Sequence, residues 1–129
     1  MVELKEQVEA EMTRYRALQD EVQVLARQRQ MYAQQANEND MVKKELYLLD
    51  DEAKVFKLVG PVLLKQEVDE AKSNVNKRLE FINHELKKVN TKIEFKEKEA
   101  VSIRANISSL QMEMQKRAAE AAKGAVPAY

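Results

Sequence analysis

The residues that could perform chemistry in this chain are few and poorly placed for it. His84 is the single histidine among 129 residues, and cysteine is absent. His84 takes an outward position in the helical repeat described below, and the segment His84-Glu85-Leu86-Lys87-Lys88 lacks the second histidine of a helical zinc site. No Ser-His-Asp set and no glycine-rich phosphate loop is present. We therefore predict no catalytic residue, no metal site, no cofactor and no enzymatic activity.

The charge balance and the apolar content exclude further classes. Acidic and basic residues are equal in number, 22 of each, whereas nucleic-acid binding usually needs a basic excess. No uncharged apolar run is long enough to span a bilayer, and the first residues lack the apolar core of a signal peptide. We expect no nucleic-acid partner, no membrane partner and an intracellular location.

Two long helices must position whatever surface this protein uses. The chain contains only two glycines and two prolines, too few to punctuate a many-stranded sheet. A seven-residue repeat with positions a to g fits the first part of the chain, with Leu4 at d and Val8 at a. Most of its a and d positions, called core seats below, are apolar up to residue 46. A second register begins with Val68 as d and holds to residue 121. This period predicts an antiparallel coiled coil of two helices.

Between the helices the pattern changes to that of strands. The segment Lys54-Val-Phe-Lys-Leu-Val59 is followed by Gly60-Pro61 and by Val62-Leu-Leu-Lys65, which predicts a β-hairpin with a two-residue turn. Val59 would then face Val62, and both faces of the hairpin would be apolar. A lone hairpin is marginal in water and its apolar edges invite pairing, so we expect it to complete a sheet with other subunits. The candidate assembly residues are Val55, Phe56, Leu58, Val59, Gly60, Pro61, Val62, Leu63 and Leu64.

The predicted fold class is mainly α, with two long helices joined by a single β-hairpin that completes a β-barrel with other subunits. We predict one domain over residues 1–129, with helix one at 3–49, the hairpin at 54–65 and helix two at 67–121. Gly124 and Pro127 would stop the second helix and leave a flexible tail at 122–129.

The far ends of the two helices form a second candidate surface. Antiparallel pairing that places residue 49 near residue 68 also places residue 4 near residue 113. Methionine is common in this region, and its flexible side chain suits surfaces that bind many partners. The candidate binding residues of this tip are Val2, Leu4, Val8, Met12, Leu110, Met112 and Met114. The alternative is that they only close the coiled coil.

Some residues break the simple pattern. Polar residues at core seats favour control of pairing register, with contacts to neighbouring subunits as the alternative; they are Arg29, Asn39, Lys43, Lys72 and Lys96. Off-seam apolar residues near the hairpin favour subunit packing; they are Met41, Tyr47, Leu48 and Phe81.

The hairpin segment carries a resemblance to a known family. Val55-Phe-Lys-Leu-Val-Gly-Pro-Val-Leu-Leu-Lys-Gln66, followed by Asn76-Lys-Arg-Leu-Glu-Phe-Ile82, resembles the β-class subunits of prefoldin, the eukaryotic ones most of all. The resemblance extends upstream through Glu45-Leu46-Tyr-Leu-Leu-Asp50 to Arg29-Gln30. Outside residues 29–82 it consists only of heptad pattern and length.

This resemblance implies a hetero-hexamer of α-class and β-class subunits, with the hairpins joined in a β-barrel and the coiled coils hanging from it. It further implies a cytoplasmic, ATP-independent chaperone that captures unfolded proteins, especially actin and tubulin, and delivers them to the group II cytosolic chaperonin. The hairpin would supply barrel strands and the tip would contact clients. The alternative is a coiled-coil scaffold or tether that docks one folded partner.

Overall fold

Residues 2–124, which a computed structural model describes, form two helices and one hairpin. Their order is α1 (Val2–Leu48), β1 (Val55–Val59), β2 (Val62–Gln66) and α2 (Val68–Gly124). The predicted mainly helical fold class with a single hairpin is thus confirmed.

The helix bounds differ slightly from the predicted ones. The first helix begins and ends one residue earlier than expected, and α2 begins one residue later. At its other end α2 passes the predicted end at 121 and continues to Gly124. Ala121, Ala122 and Lys123 favour helix, so the expected tail does not start at 122. The rest of that tail, residues 125–129, lies outside the described residues.

The chain divides into two compact units. The terminal unit comprises Met1–Leu25 and Lys92–Tyr129, and the hairpin unit comprises Ala26–Thr91. Each unit contains part of α1 and part of α2.

The terminal unit is held by apolar side chains at the predicted core seats. The buried residues are Leu4, Val8, Leu18, Ile93 and Ile103, all of them a or d seats. Polar contacts also join the two helices: Lys96 Nζ lies 2.6 Å from Glu21 Oε2, and Asn106 Nδ2 donates to Glu11 Oε2 at 3.2 Å. Both pairs follow the antiparallel alignment in which residue 4 lies near residue 113.

In the hairpin unit the core is thin and lies between the helices. Leu46, Ala71 and Val75 form a buried cluster, against which Val55 of β1 packs. Further along α2, Ile82 and Val89 are buried at their d seats.

The polar seam residues of the hairpin unit behave in different ways. Asn39 donates from Nδ2 to the Gln35 carbonyl at 2.7 Å, so its amide nitrogen is bonded within its own helix. Arg29, predicted at a core seat, is exposed instead. The long guanidinium side chain can reach water from the edge of a thin seam, which explains the difference.

A tight turn determines the register of the hairpin. Gly60 has a φ of +58°, and Pro61 follows with its ring-restricted negative φ, the combination of a type II′ turn. The strands are antiparallel, with Val59 opposite Val62 and Leu58 opposite Leu63, as predicted.

Candidate functional surfaces

The hairpin exposes apolar side chains on both faces. Leu58 and Leu63 are opposite each other on one face, and Val59 and Val62 are opposite each other on the other. The apolar strand residues from Phe56 to Leu64 are between 49% and 69% exposed. Nothing within the hairpin unit covers them, so they are free to pack against another protein.

Val55 differs from the other predicted assembly residues. Its side chain is half-buried against Leu46, Ala71 and Val75. It therefore attaches β1 to the helices of its own chain. The prediction grouped Val55 with the other assembly residues because strand alternation alone does not reveal which strand residue the helices contact.

Exposed apolar side chains continue from the hairpin onto the end of α1. Met41 and Val42 are exposed, and together with Leu49 they line a groove of about 520 Å³ beside Glu38 and Glu45. Leu48, at the end of the helix, is exposed as well. Phe81, on α2, is the fourth off-seam apolar residue expected here, and it too is exposed.

Tyr47 is held in place at this end of the hairpin unit. Its hydroxyl accepts a hydrogen bond from Asn76 Nδ2 at 3.1 Å. Lys72 Nζ lies 4.8 Å from the ring centroid and Lys43 Nζ lies 5.9 Å from it. These cation–π contacts, each typically below about 1 kcal/mol at exposed sites, explain two of the lysines at core seats.

The predicted tip residues fall into two groups. Leu4 and Val8 are buried in the seam of the terminal unit, and Leu110 and Met114 are half-buried. Only Val2, Met12 and Met112 are exposed, at 72%, 37% and 67%. Leu4 and Val8 thus pack in the seam, Leu110 and Met114 are partly accessible, and Val2, Met12 and Met112 are exposed enough to contact a partner.

A groove on the terminal unit was missed by sequence reasoning. It has a volume of about 610 Å³ and is lined by Met12, Tyr15, Arg16, Val101, Arg104 and Ile107, among others. We call it the terminal groove. Val101 takes an outward position of the repeat and is 62% exposed, which is unusual for a branched apolar residue. That mismatch between residue type and seat was the available signal.

Charged contacts brace the same unit. The Asn106 amide and the Arg14 guanidinium, both bonded to Glu11, lower the pKa of that carboxyl. The hydrogen bond to Glu21 raises the pKa of Lys96. Both groups are therefore charged at neutral pH, and each links α1 to α2.

Within residues 2–124 the structure shows no cluster of side chains arranged to bind a metal ion. His84 is exposed, and the described part of the chain holds no group of three or more His, Asp or Glu side chains arranged for a metal ion. In the same range neither helix has a stretch apolar enough to cross a membrane.

The chain is similar to proteins of one family along most of its length. A family model described as prefoldin subunit matches residues 9–120. The chain is 39% identical to prefoldin subunit 6 of Homo sapiens over 124 residues, which cover 96% of this chain and 95% of that protein. It is 40% identical to a probable prefoldin subunit 6 of Drosophila melanogaster over 90% of this chain and 93% of the relative.

Solved structures show the same fold. The prefoldin beta subunit from Thermococcus strain KS-1 superposes with a TM-score of 0.77 at 23% identity, covering 80% of this chain and 90% of that one. The beta2 subunit from the same strain gives a TM-score of 0.63 at 20% identity, over 71% of this chain and 98% of that one. The resemblance inferred from the hairpin motif is therefore confirmed, and this chain belongs to the prefoldin subunit family.

Proposed function

We propose that this chain is a subunit of a hetero-hexameric prefoldin, an ATP-independent chaperone of the cytoplasm. Its hairpin joins the hairpins of α-class and β-class partner subunits. Its terminal unit binds unfolded or nascent proteins, actin and tubulin among them, for transfer to the group II cytosolic chaperonin.

The exposure of both hairpin faces is the observation that carries the assembly part of this proposal. Two five-residue strands leave apolar side chains on each face about half exposed or more. Burying such surface is worth about 25 cal/mol per Å². A hairpin this small is stable when other strands extend its sheet, which a ring of similar subunits provides.

The exposed apolar residues of the terminal unit support the client-binding part. Val2, Met12, Val101 and Met112 lie on a unit whose core is already closed by other residues. So few side chains bind an unfolded chain weakly. Several subunits on one body raise the effective concentration, so weak contacts add up to useful avidity. Weak contacts also allow transfer to the chaperonin without nucleotide hydrolysis.

The first experiment is the native mass of this chain, measured by light scattering alone and after co-expression with the partner subunits. We expect a stable species of about six subunits that contains one copy of this chain. A monomer or self-dimer in the presence of all partners would contradict assembly through the hairpin.

Breadth of binding separates a chaperone from a tether. The assembled complex should suppress aggregation of several unrelated denatured proteins, actin and tubulin included. A tether would bind one folded partner and would not suppress aggregation of these proteins. A complex that suppresses no aggregation and binds one folded partner would therefore favour the scaffold alternative.

A further inference from the structure

We propose that the terminal groove selects client segments that combine apolar side chains with a carboxylate, and that Arg16 and Arg104 bind this carboxylate. The inference rests on the proposed function, because it names the class of unfolded segment that the terminal unit takes. It concerns the terminal groove alone, and not the rest of the tip.

The groove has the size and lining of a peptide subsite. Its volume of about 610 Å³ lies within the range of about 300–1,000 Å³ that is typical of ligand pockets. Met12, Val101 and Ile107 supply apolar surface, and Tyr15 adds an amphipathic ring that suits a wet, shallow site. An apolar side chain of an extended segment can rest on this surface without any rearrangement of the core.

Two arginines line the same groove, one from each helix, and neither has an acidic partner. Within residues 2–124 no carboxylate oxygen lies within 4.0 Å of a side-chain nitrogen of Arg16 or Arg104. Arg14 and Arg117 of the same unit do have such partners, namely Glu11, Glu99 and Glu113. The groove therefore presents two exposed arginines that form no ion pair within 4.0 Å among residues 2–124.

The terminal groove itself is lined by both arginines and by no acidic residue. The terminal groove continues into a second stretch that shares Tyr15, Val101 and Arg104, and Glu97 lines only this second stretch. Charge along the groove is thus uneven: the end that Met12 lines has two arginines and no acidic residue, whereas the second stretch has Arg104 and Glu97. An acidic segment is complementary to this end, whereas a basic segment is repelled by it.

Arginine suits this combination of contacts. Its aliphatic stem can lie along apolar surface while its planar head binds a carboxylate through two parallel hydrogen bonds. An unfolded protein exposes its apolar residues together with their acidic neighbours. Segments of mixed apolar and acidic character therefore gain contacts here that purely apolar segments do not make.

The test compares two peptides on the assembled complex. One peptide places two glutamates among six apolar residues, and the other has glutamine at both acidic positions. Binding of each, labelled with rhodamine, is followed by fluorescence anisotropy. We expect the double variant Arg16→Gln/Arg104→Gln to weaken binding of the glutamate peptide about fivefold and to leave the glutamine peptide unchanged.

A matched control replaces two other arginines, again one per helix. Arg27 and Arg78 are exposed, lie in the hairpin unit and have no carboxylate within 4.0 Å among the described residues. Arg27→Gln/Arg78→Gln should bind both peptides as the unmodified complex does. Equal weakening of this control would show a general charge effect and overturn the assignment to the groove.

The remaining outcomes separate this inference from the proposed function. If the arginine variant weakens both peptides equally, or neither, charge selection by the groove is wrong while chaperone activity stands. If the unmodified complex binds neither peptide and suppresses no aggregation, the proposed function fails and this inference fails with it.

Discussion

Gly60 holds a backbone conformation that other residues adopt only at a cost. Its φ is +58°, and a Cβ placed there would meet nothing within 4 Å, so the penalty for a side chain is purely conformational. An alanine in the left-handed region costs roughly 1–2 kcal/mol. We expect Gly60→Ala to speed amide hydrogen exchange of residues 55–66 about fivefold, as measured by mass spectrometry.

The other glycine provides the control for this substitution. Gly124 ends α2, has no positive φ and also faces open space. Gly124→Ala should leave exchange in the hairpin unchanged. Equal exchange rates in Gly60→Ala and the unmodified chain would mean that the turn tolerates alanine and does not determine the register.

Single polar residues show how much a seat in the repeat predicts. Lys96 sits at a d seat, and the pattern alone predicts a polar residue there that controls register. Its partner Glu21 is distant in sequence; the predicted alignment of residue 4 with residue 113 brings the two residues together, but the ion pair itself was not predicted. Arg29 takes a core seat as well, but its side chain is exposed, so its position in the repeat does not predict its burial.

The hairpin is the element on which assembly depends in our proposal. Leu58 is 69% exposed in this chain and would be buried in a sheet shared with other subunits. Leu58→Asp would place an unpaired charge there, which costs several kcal/mol. We expect loss of the hexamer in native mass measurements, and the same result for Val62→Asp.

A comparable substitution elsewhere separates burial from a general effect of charge. Val24 is 55% exposed on α1 and lies outside the hairpin unit. Val24→Asp should assemble normally. Normal assembly of Leu58→Asp would contradict a buried role for the hairpin.

Secondary structure was largely predictable because each element has its own period. The seven-residue repeat placed nine of the ten buried apolar residues at a or d seats, Ala71 being the exception. The hairpin followed from β-branched residues around Gly60-Pro61. The helix ends were predicted less accurately, because alanine and lysine favour helix and α2 continues beyond its predicted end.

At the scale of the whole molecule, assembly and client binding should be separable. In our proposal, assembly depends on the hairpin unit and client binding on the terminal unit. Deletion of residues 1–12 and 110–129 removes Val2, Met12 and Met112 but leaves the hairpin unit intact. We expect the trimmed complex to keep its native mass and to lose suppression of client aggregation.

The native mass is the internal control for this deletion. A complex that falls apart would show that the removed ends also support folding, through the buried Leu4 and Val8. In that case the test uses the triple variant Val2→Ser/Met12→Ser/Met112→Ser. This variant changes only exposed side chains. Full activity of either form would contradict the assignment of clients to these ends.

The sequence by itself determined the fold class, the hairpin register and the family. Each of these depends on local period, turn chemistry or a contiguous motif, which a single chain displays without folding. The tertiary structure decided which side chains are free. Arg29 is exposed although it takes an a position, Leu110 and Met114 are only half-buried, and Arg16 and Arg104 line one groove. Those outcomes depend on the alignment of two helices far apart in sequence, because burial and charge pairing across a seam arise only when both sides are present.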